Sequence, residues 1–348
     1  MRQIIEFLVL GMIVAAIPMF GQGKSQRPYS NYQEAEEICT NLYYEGKYKE
    51  AIRVLEMARE DFPGHYDEII WSLAVNYCLD GQDKESMATF KEALDKGVCI
   101  PDPSFYNYWK SLEKYPEFKK MRERNTKLRQ LAQTKSKPAS DVVLPKSYDK
   151  GKSYPMFIAL HGWGGNNAWF RTHWKSGRLA KEFILVFMQS SQVVKTNGFS
   201  WDDIGKARKE IRGMYDAVLK QYKVDQGNVY IGGFSQGGKT SLDIAFEQTL
   251  PVKGFILLCP GGGIPEGLNN PAAIKRARQT KLRGVIITGD KDSSVQEQKD
   301  MIAIFKKSNI PYHITINPNM YHWFPPDFPH QLDNALTFLE AGTNVVEE

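Results

Sequence analysis

Two periodicities divide the chain. From about residue 30 to 97, apolar positions recur at helical spacing. Leu42, Tyr43, Ile52, Leu55, Leu73, Tyr77, Met87 and Phe90 fall on faces expected to share one core. From Asp141 onward the pattern becomes short continuous apolar runs: Pro155–Leu160, Phe183–Met188, Val229–Phe234, Phe255–Cys259, Val285–Thr288 and His313–Ile316. Between them lie helical patterns over Ile204–Tyr222, Gly237–Phe246, Val295–Lys307 and Gln331–Leu339. Strands that are apolar throughout, alternating with helices, predict a mostly parallel sheet covered on both faces. The expected fold class is therefore α/β, preceded by a small all-α domain.

The helical part repeats itself. Glu45-Gly46-Lys47-Tyr48-Lys49-Glu50-Ala51 returns as Asp80-Gly81-Gln82-Asp83-Lys84-Glu85-Ser86, an offset of 35 residues from Gly46 to Gly81. Asn41 then aligns with Asn76, Leu55 with Phe90 and Ala58 with Ala93. A two-helix repeat of roughly 34 residues resembles a tetratricopeptide unit, although the Trp and Pro of that pattern are not in place. Two repeats are fewer than the roughly three a free array needs, so Phe105 to Leu131 should supply capping helices. The basic run Lys119 to Lys137 reads as a solvated helix face and linker. Gln133 to Ala139 has almost no apolar character and marks the boundary. The expected domains are a signal peptide at 1–23, the helical unit at 24–135 and an α/β domain at 138–345.

Residues 1–23 combine Arg2, an apolar stretch from Phe7 to Phe20, and Gly21 and Gly23. The apolar run is shorter than the roughly 20 residues of a membrane-spanning helix. It reads as a secretory signal, with an uncleaved anchor as the alternative. A secreted or periplasmic protein without stable membrane insertion after cleavage follows. The four cysteines (Cys39, Cys78, Cys99, Cys259) have no framework spacing, so buried free thiols are expected. A net charge of +5 without a recognisable module argues against nucleic acid as a partner. No zinc-type Cys/His spacing is present, so no metal and no cofactor are expected.

The candidate chemistry sits in the second part. Ser235 lies in Gly233-Phe234-Ser235-Gln236-Gly237-Gly238, a G-x-S-x-G pattern between a strand and a helix. A serine on so sharp a turn needs glycines two residues away on each side, because side chains there would collide. Its Oγ then projects at the sheet edge, beside the free N–H groups of the following helix. Serine at neutral pH also needs a base and an orienting acid. Gly289-Asp290-Lys291-Asp292 follows one strand, and Asp292 is preferred over Asp290, which would still be leaving that strand. His322 follows the last strand, in Asn319-Met320-Tyr321-His322-Trp323. The oxyanion donors should be the backbone N–H groups of Gln236 and of Trp163, the latter in His161-Gly162-Trp163-Gly164-Gly165. Trp201 and Trp323 are candidate substrate contacts. Asp202 or Asp203 reads as a helix N-cap, and His161 as a shaper of its loop.

Together, His161-Gly-Trp-Gly-Gly, Gly-Phe-Ser235-Gln-Gly-Gly, Gly289-x-x-Asp292 and the late His322 resemble the α/β-hydrolases. The resemblance covers roughly residues 140–345. Within that superfamily they are similar to the phospholipase/carboxylesterase branch, which also holds acyl-protein thioesterases and feruloyl-type esterases. The resemblance implies cofactor-free hydrolysis of a small-molecule or saccharide-linked ester through an acyl-enzyme. Two features depart from it: Tyr321 stands where the family usually has Gly, and the helical unit is absent from its small members. The alternatives are an oligopeptidase-like hydrolase, or an inert scaffold whose helical repeats bind a protein partner.

Overall fold

The computed structural model describes residues 27–103 and 107–341. The signal-like segment at 1–23 lies outside them. Helices α1 (Tyr32–Tyr44) and α2 (Tyr48–Asp61) form one hairpin, and α3 (Tyr66–Leu79) and α4 (Asp83–Asp95) form the next. Both hairpins turn on a left-handed glycine, Gly46 at φ +72° and Gly81 at φ +76°. Gly46 N–H donates to the Tyr43 carbonyl and Lys47 N–H to that of Leu42; Gly81 and Gln82 repeat the pair on Cys78 and Tyr77. These are the two bonds of a Schellman cap, so the 35-residue offset is a repeat of structure as well as of sequence. Ala58 and Ala93 are buried, as are their partners Leu55 and Phe90. Tyr43, Tyr77 and Met87 pack only partly buried against the same cores.

A 3-10 segment (Asn107–Lys114) and α5 (Pro116–Lys135) close the unit. Phe118 packs against Phe90 and Trp109. The basic residues of α5 face outward or pair locally, Arg124 with Asp95 and Arg129 with Asp102. The helix also runs through most of the expected linker, which shrinks to residues 136–138.

The sheet strands in chain order are β1 (Ala139–Val143), β2 (Tyr154–Leu160), β3 (Ile184–Gln189), β4 (Gln192–Lys195), β5 (Gly198–Ser200), β6 (Val224–Phe234), β7 (Gly254–Leu258), β8 (Arg283–Gly289) and β9 (Tyr312–Asn317). Seven make one sheet in the order β1-β3-β2-β6-β7-β8-β9; β4 and β5 form a separate hairpin. Every neighbouring pair in the large sheet is parallel except β1, which runs antiparallel to β3. The connections are α6 (Asn167–His173), α7 (Gly177–Glu182), α8 (Ile204–Gln221), α9 (Gln236–Phe246), α10 (Pro271–Gln279), α11 (Val295–Lys307) and α12 (Phe328–Glu340).

Alternate residues of each strand enter opposite cores. Ile158, Leu160, Val186 and Ile231 pack with Ile211 of α8, Leu242 of α9 and Met301 of α11. Phe157, Phe187, Ile256 and Val285 pack with Phe170 of α6, Leu179 of α7 and Leu336 of α12. Each fully buried Leu, Ile or Phe contributes about 1.5–3 kcal/mol from removal of apolar surface, so the two layers commit the sheet to this register. The expected fold class, a mostly parallel sheet covered on both faces behind a small helical unit, is the one observed.

Candidate active site

Strand β6 runs into α9 through Ser235, which has φ 54° and ψ −119°. That conformation is unfavourable for a residue with a side chain. It persists because its surroundings leave no alternative. A Cβ at Gly233 would lie 2.6 Å from the Gly237 carbonyl carbon, and one at Gly237 would overlap the carbonyl oxygens of Leu160 and His161. The two glycines of the motif thus let the turn close against the end of β2. Ser235 N–H donates to the Leu258 carbonyl at 2.9 Å, fastening the turn to β7.

The loop after β8 carries Asp292 and the loop after β9 carries His322. His322 Nδ1 lies 3.0 Å from both carboxylate oxygens of Asp292. Asp292 also accepts from Ser294 N–H at 2.7 Å, Gln298 Nε2 at 3.2 Å and Thr288 Oγ1 at 3.4 Å. Burial pushes this carboxyl up, but the hydrogen bond and charge of His322, with the Ser294 N–H, hold it below the ordinary carboxylate range. Gly289 makes the meeting sterically feasible, since a side chain there would strike the Met320 carbonyl. Asp290 is exposed and its N–H is held by the Asn317 carbonyl, so it shapes the turn. Ser294, Gln298 and Thr288 escaped sequence reasoning, because nothing in their spacing distinguishes them from ordinary polar residues.

The Cys259 thiol lies close enough to Asp292 and His322 for the three to form a metal-like cluster. Burial, and then the charge of Asp292, push this thiol well above its ordinary range. A neutral thiol beside an occupied carboxylate supports the carboxylate rather than presenting a thiolate ligand.

Gln236 is the first residue of α9, and its backbone N–H has no partner among the described residues. Its side chain is locked: Oε1 accepts from Trp201 N–H at 2.9 Å and Nε2 donates to Asp202 at 2.7 Å. Trp163 sits in a turn whose flanking Gly164 and Gly165 pair with Phe199 of the small hairpin. That hairpin was missed in the sequence, although Asn197-Gly198 is a strong hairpin signal. His161 is fully buried, donates from Nδ1 to the Gly162 carbonyl, and is pushed down to about 4 by burial, so its imidazole is neutral. Asp203 is the N-cap of α8.

The expectation for Trp201 is corrected. It is 2% exposed, stacks on His161 and donates its indole N–H to the His161 carbonyl at 2.9 Å. A buried indole needs a partner for its N–H, and this one finds it in the loop that leads to Trp163, away from the cavity lining. Trp323 does line the cavity, packed among Trp169, Phe234 and Phe324.

That cavity, about 470 Å³, has two unlike walls. Ser235, His322, Trp163, Trp169 and Trp323 form one; Tyr32, Glu36, Tyr43, Tyr44 and Trp71 of the helical unit form the other. Glu36 accepts from Trp169 Nε1 at 2.7 Å, and burial pushes its carboxyl up to about 8. Tyr44 stacks on Tyr321 with centroids 5.2 Å apart and planes 6° from parallel. The two departures from the family pattern are therefore one feature: Tyr321 is a docking residue for the helical unit.

The turn at Ser235, between β6 and α9 and beneath loops from β8 and β9, decides the architecture. The chain has the α/β-hydrolase fold. No family model matches it. The chain is similar to the bifunctional acetylxylan esterase/xylanase XynS20E of Neocallimastix patriciarum, 24% identical over 187 residues, which are 50% of this chain and 26% of that protein. It is also similar to an endo-1,4-beta-xylanase/feruloyl esterase of Xylanibacter ruminicola, 28% identical over 158 residues, 39% of this chain and 21% of that one. The chain thus spans only about a quarter of the length of these relatives. Among solved structures it resembles an uncharacterized protein from Bacillus cereus ATCC 10987, with 25% identity and a TM-score of 0.51, over 90% of this chain and 100% of the other. Among the described residues no helix is long and apolar enough to cross a membrane.

Proposed function

We propose that this protein is a serine hydrolase of carboxylic esters that acts after export, in the periplasm or outside the cell. The observation that carries the reading is the Asp292–His322 pair, closed at 3.0 Å beside a cavity that Ser235 also lines. In this reading His322 Nε2 takes the proton of Ser235 Oγ as the hydroxyl attacks the ester carbonyl. Asp292 keeps the proton on Nδ1 and stabilises the imidazolium that forms. The N–H groups of Gln236 and Trp163 bind the developing oxyanion. His322 then protonates the leaving alcohol, and water, deprotonated by the same imidazole, releases the acid from the acyl-enzyme.

The aromatic lining of the cavity, Trp323 included, suits an ester with an aromatic or sugar ring. The relatives named as acetylxylan and feruloyl esterases support a saccharide-linked ester as substrate. Turnover of 4-nitrophenyl acetate, compared between the native protein and Ser235→Ala, tests the reading. Loss of turnover and of fluorophosphonate labelling, with unchanged melting temperature, is expected. A variant that keeps most of its turnover would overturn the assignment.

A further inference from the structure

Lys195 ends β4 and is 4% exposed, yet it lines the same cavity as Ser235. Among the described residues its ammonium has no hydrogen-bond acceptor and no ion-pair partner. Its stem is packed away while the residue keeps contact with the cavity, so a group bound there is what can pair the ammonium. Here the fold keeps it in place. A side chain at Gly198 would overlap the stem of Lys195, and one at Gly164, next to Trp163, would touch its Cε at 3.8 Å. The hairpin that carries it is clamped to the helical unit on both sides. Thr196 N–H donates to the Cys99 carbonyl, Asn197 Nδ2 to Asp67, and Gln133 bonds both the Ser191 carbonyl and Val193 N–H.

Two carboxyls line the same cavity. Glu68 is engaged by His65 at 2.8 Å. Glu36, with its Oε1 on Trp169, has its other oxygen buried without a hydrogen-bond partner, facing His173 Nε2 at 3.6 Å. Its carboxyl is pushed up to about 8 by burial, so at neutral pH it is a neutral O–H that needs an acceptor rather than a counter-ion for Lys195. The cavity beside the serine therefore offers a cation without an acceptor, next to a neutral carboxyl whose free oxygen faces His173 Nε2.

We propose that this cavity selects esters carrying a second, anionic group, a carboxylate, and that Lys195 is the residue that binds it. The inference deepens the ester-hydrolase reading and rests on it only for the reacting end of the ligand. An ion pair at a lysine whose stem is packed inside the protein gives a carboxylate a charge-assisted bond that a neutral isostere lacks.

Two matched pairs test it: 4-acetoxybenzoate against methyl 4-acetoxybenzoate, with the charge on the leaving side, and 4-nitrophenyl hydrogen glutarate against 4-nitrophenyl methyl glutarate, with the charge on the acyl side. In at least one pair the acid should be preferred by about ten-fold or more in kcat/KM. Lys195→Met should bring that ratio to about one, and Lys195→Arg should retain part of it. Lys195→Met should leave the melting temperature nearly unchanged, so that a lost ratio reads binding and not folding. Preference for the neutral member in both pairs, or a ratio that Lys195→Met leaves intact, would overturn the inference. A readout without turnover separates it from the hydrolase reading. Ser235→Ala should bind benzoate or glutarate with a change in tryptophan fluorescence, and the Ser235→Ala, Lys195→Met double variant should not. If the native protein hydrolyses none of the esters but this binding contrast holds, only the enzymatic reading fails. Equal binding by both variants would sink the lysine's role.

Discussion

The two walls of the cavity are made in different ways. The wall beneath is set by backbone geometry: a strained serine, glycines that let chain segments touch, and a carboxylate fed by a main-chain N–H, with Trp163, Trp169 and Trp323 beside them. The wall above is side chain: Glu36 on Trp169, Tyr44 on Tyr321, tyrosines and tryptophans of regular helices. Backbone held by close packing and hydrogen bonds leaves little freedom of position, which is what a reacting centre needs. Helix faces tolerate exchange of one side chain for another and suit the choice of ligand. Chemistry should therefore belong to the lower wall and selectivity to the upper one together with the clamped hairpin.

Substitutions can break that division. Ser235→Ala should have the largest effect, a fall of at least about 10⁴-fold in kcat for any ester, with little change in the melting curve. Asp292→Asn should come close to it, about 10⁴-fold, because an amide leaves His322 in the wrong tautomer while preserving the fold. A pH-rate profile on a single ester reads both. If either variant altered selectivity among esters instead of the rate on all of them, the two walls would not be separate in function.

The upper wall has its own signature in pH. Glu36 has an ordinary value of 4.5 and one of about 8 in the folded chain. Between those values the folded state holds a proton that the unfolded chain has lost. Stability should therefore decline as pH rises from about 4.5 to about 8, and change no further through this group on either side. At about 1.4 kcal/mol per pH unit the loss amounts to a few kcal/mol. Glu36→Gln mimics the protonated form and should flatten the slope, leaving the variant more stable than the native protein at pH 8. Thermal melts across pH 5–8 measure it. A native curve no steeper than that of Glu36→Gln would mean that the helical unit does not seal this carboxyl.

Tyr321→Ala should have the smallest effect. Losing one stacked pair costs about 0.5–1.5 kcal/mol. It should raise KM a few-fold with kcat nearly unchanged, since Tyr321 touches the upper wall and not the reacting atoms. A matching fall in kcat would show that docking of the helices also positions His322.

Much of the lower wall was legible in the sequence. Ser235, Asp292 and His322 could be named as candidates because strand ends, glycines and chain order leave few choices, and the structure brings Asp292 and His322 together beside the cavity that Ser235 lines. The long apolar strands and the glycine-turned helix pairs were found because their periods are strong. The antiparallel β1 was missed because Ala-Ser-Asp-Val-Val is short and half polar. Trp201 was misread because a loop tryptophan after a glycine-rich segment suits a pocket wall and a buried brace equally well.

What the sequence determined by itself is whatever depends on local order: the period of each element, the turns that demand glycine, and the serine whose strain comes from its own neighbours. Tertiary structure alone decided the rest. Nothing in the residues around Glu36, in a helix among other acids, or around Lys195, on a hairpin the sequence reading missed, says that either is withdrawn from water. Each is buried only because two domains close over it. The charge a side chain can carry depends on the water that reaches it, and that is set by segments distant in the chain.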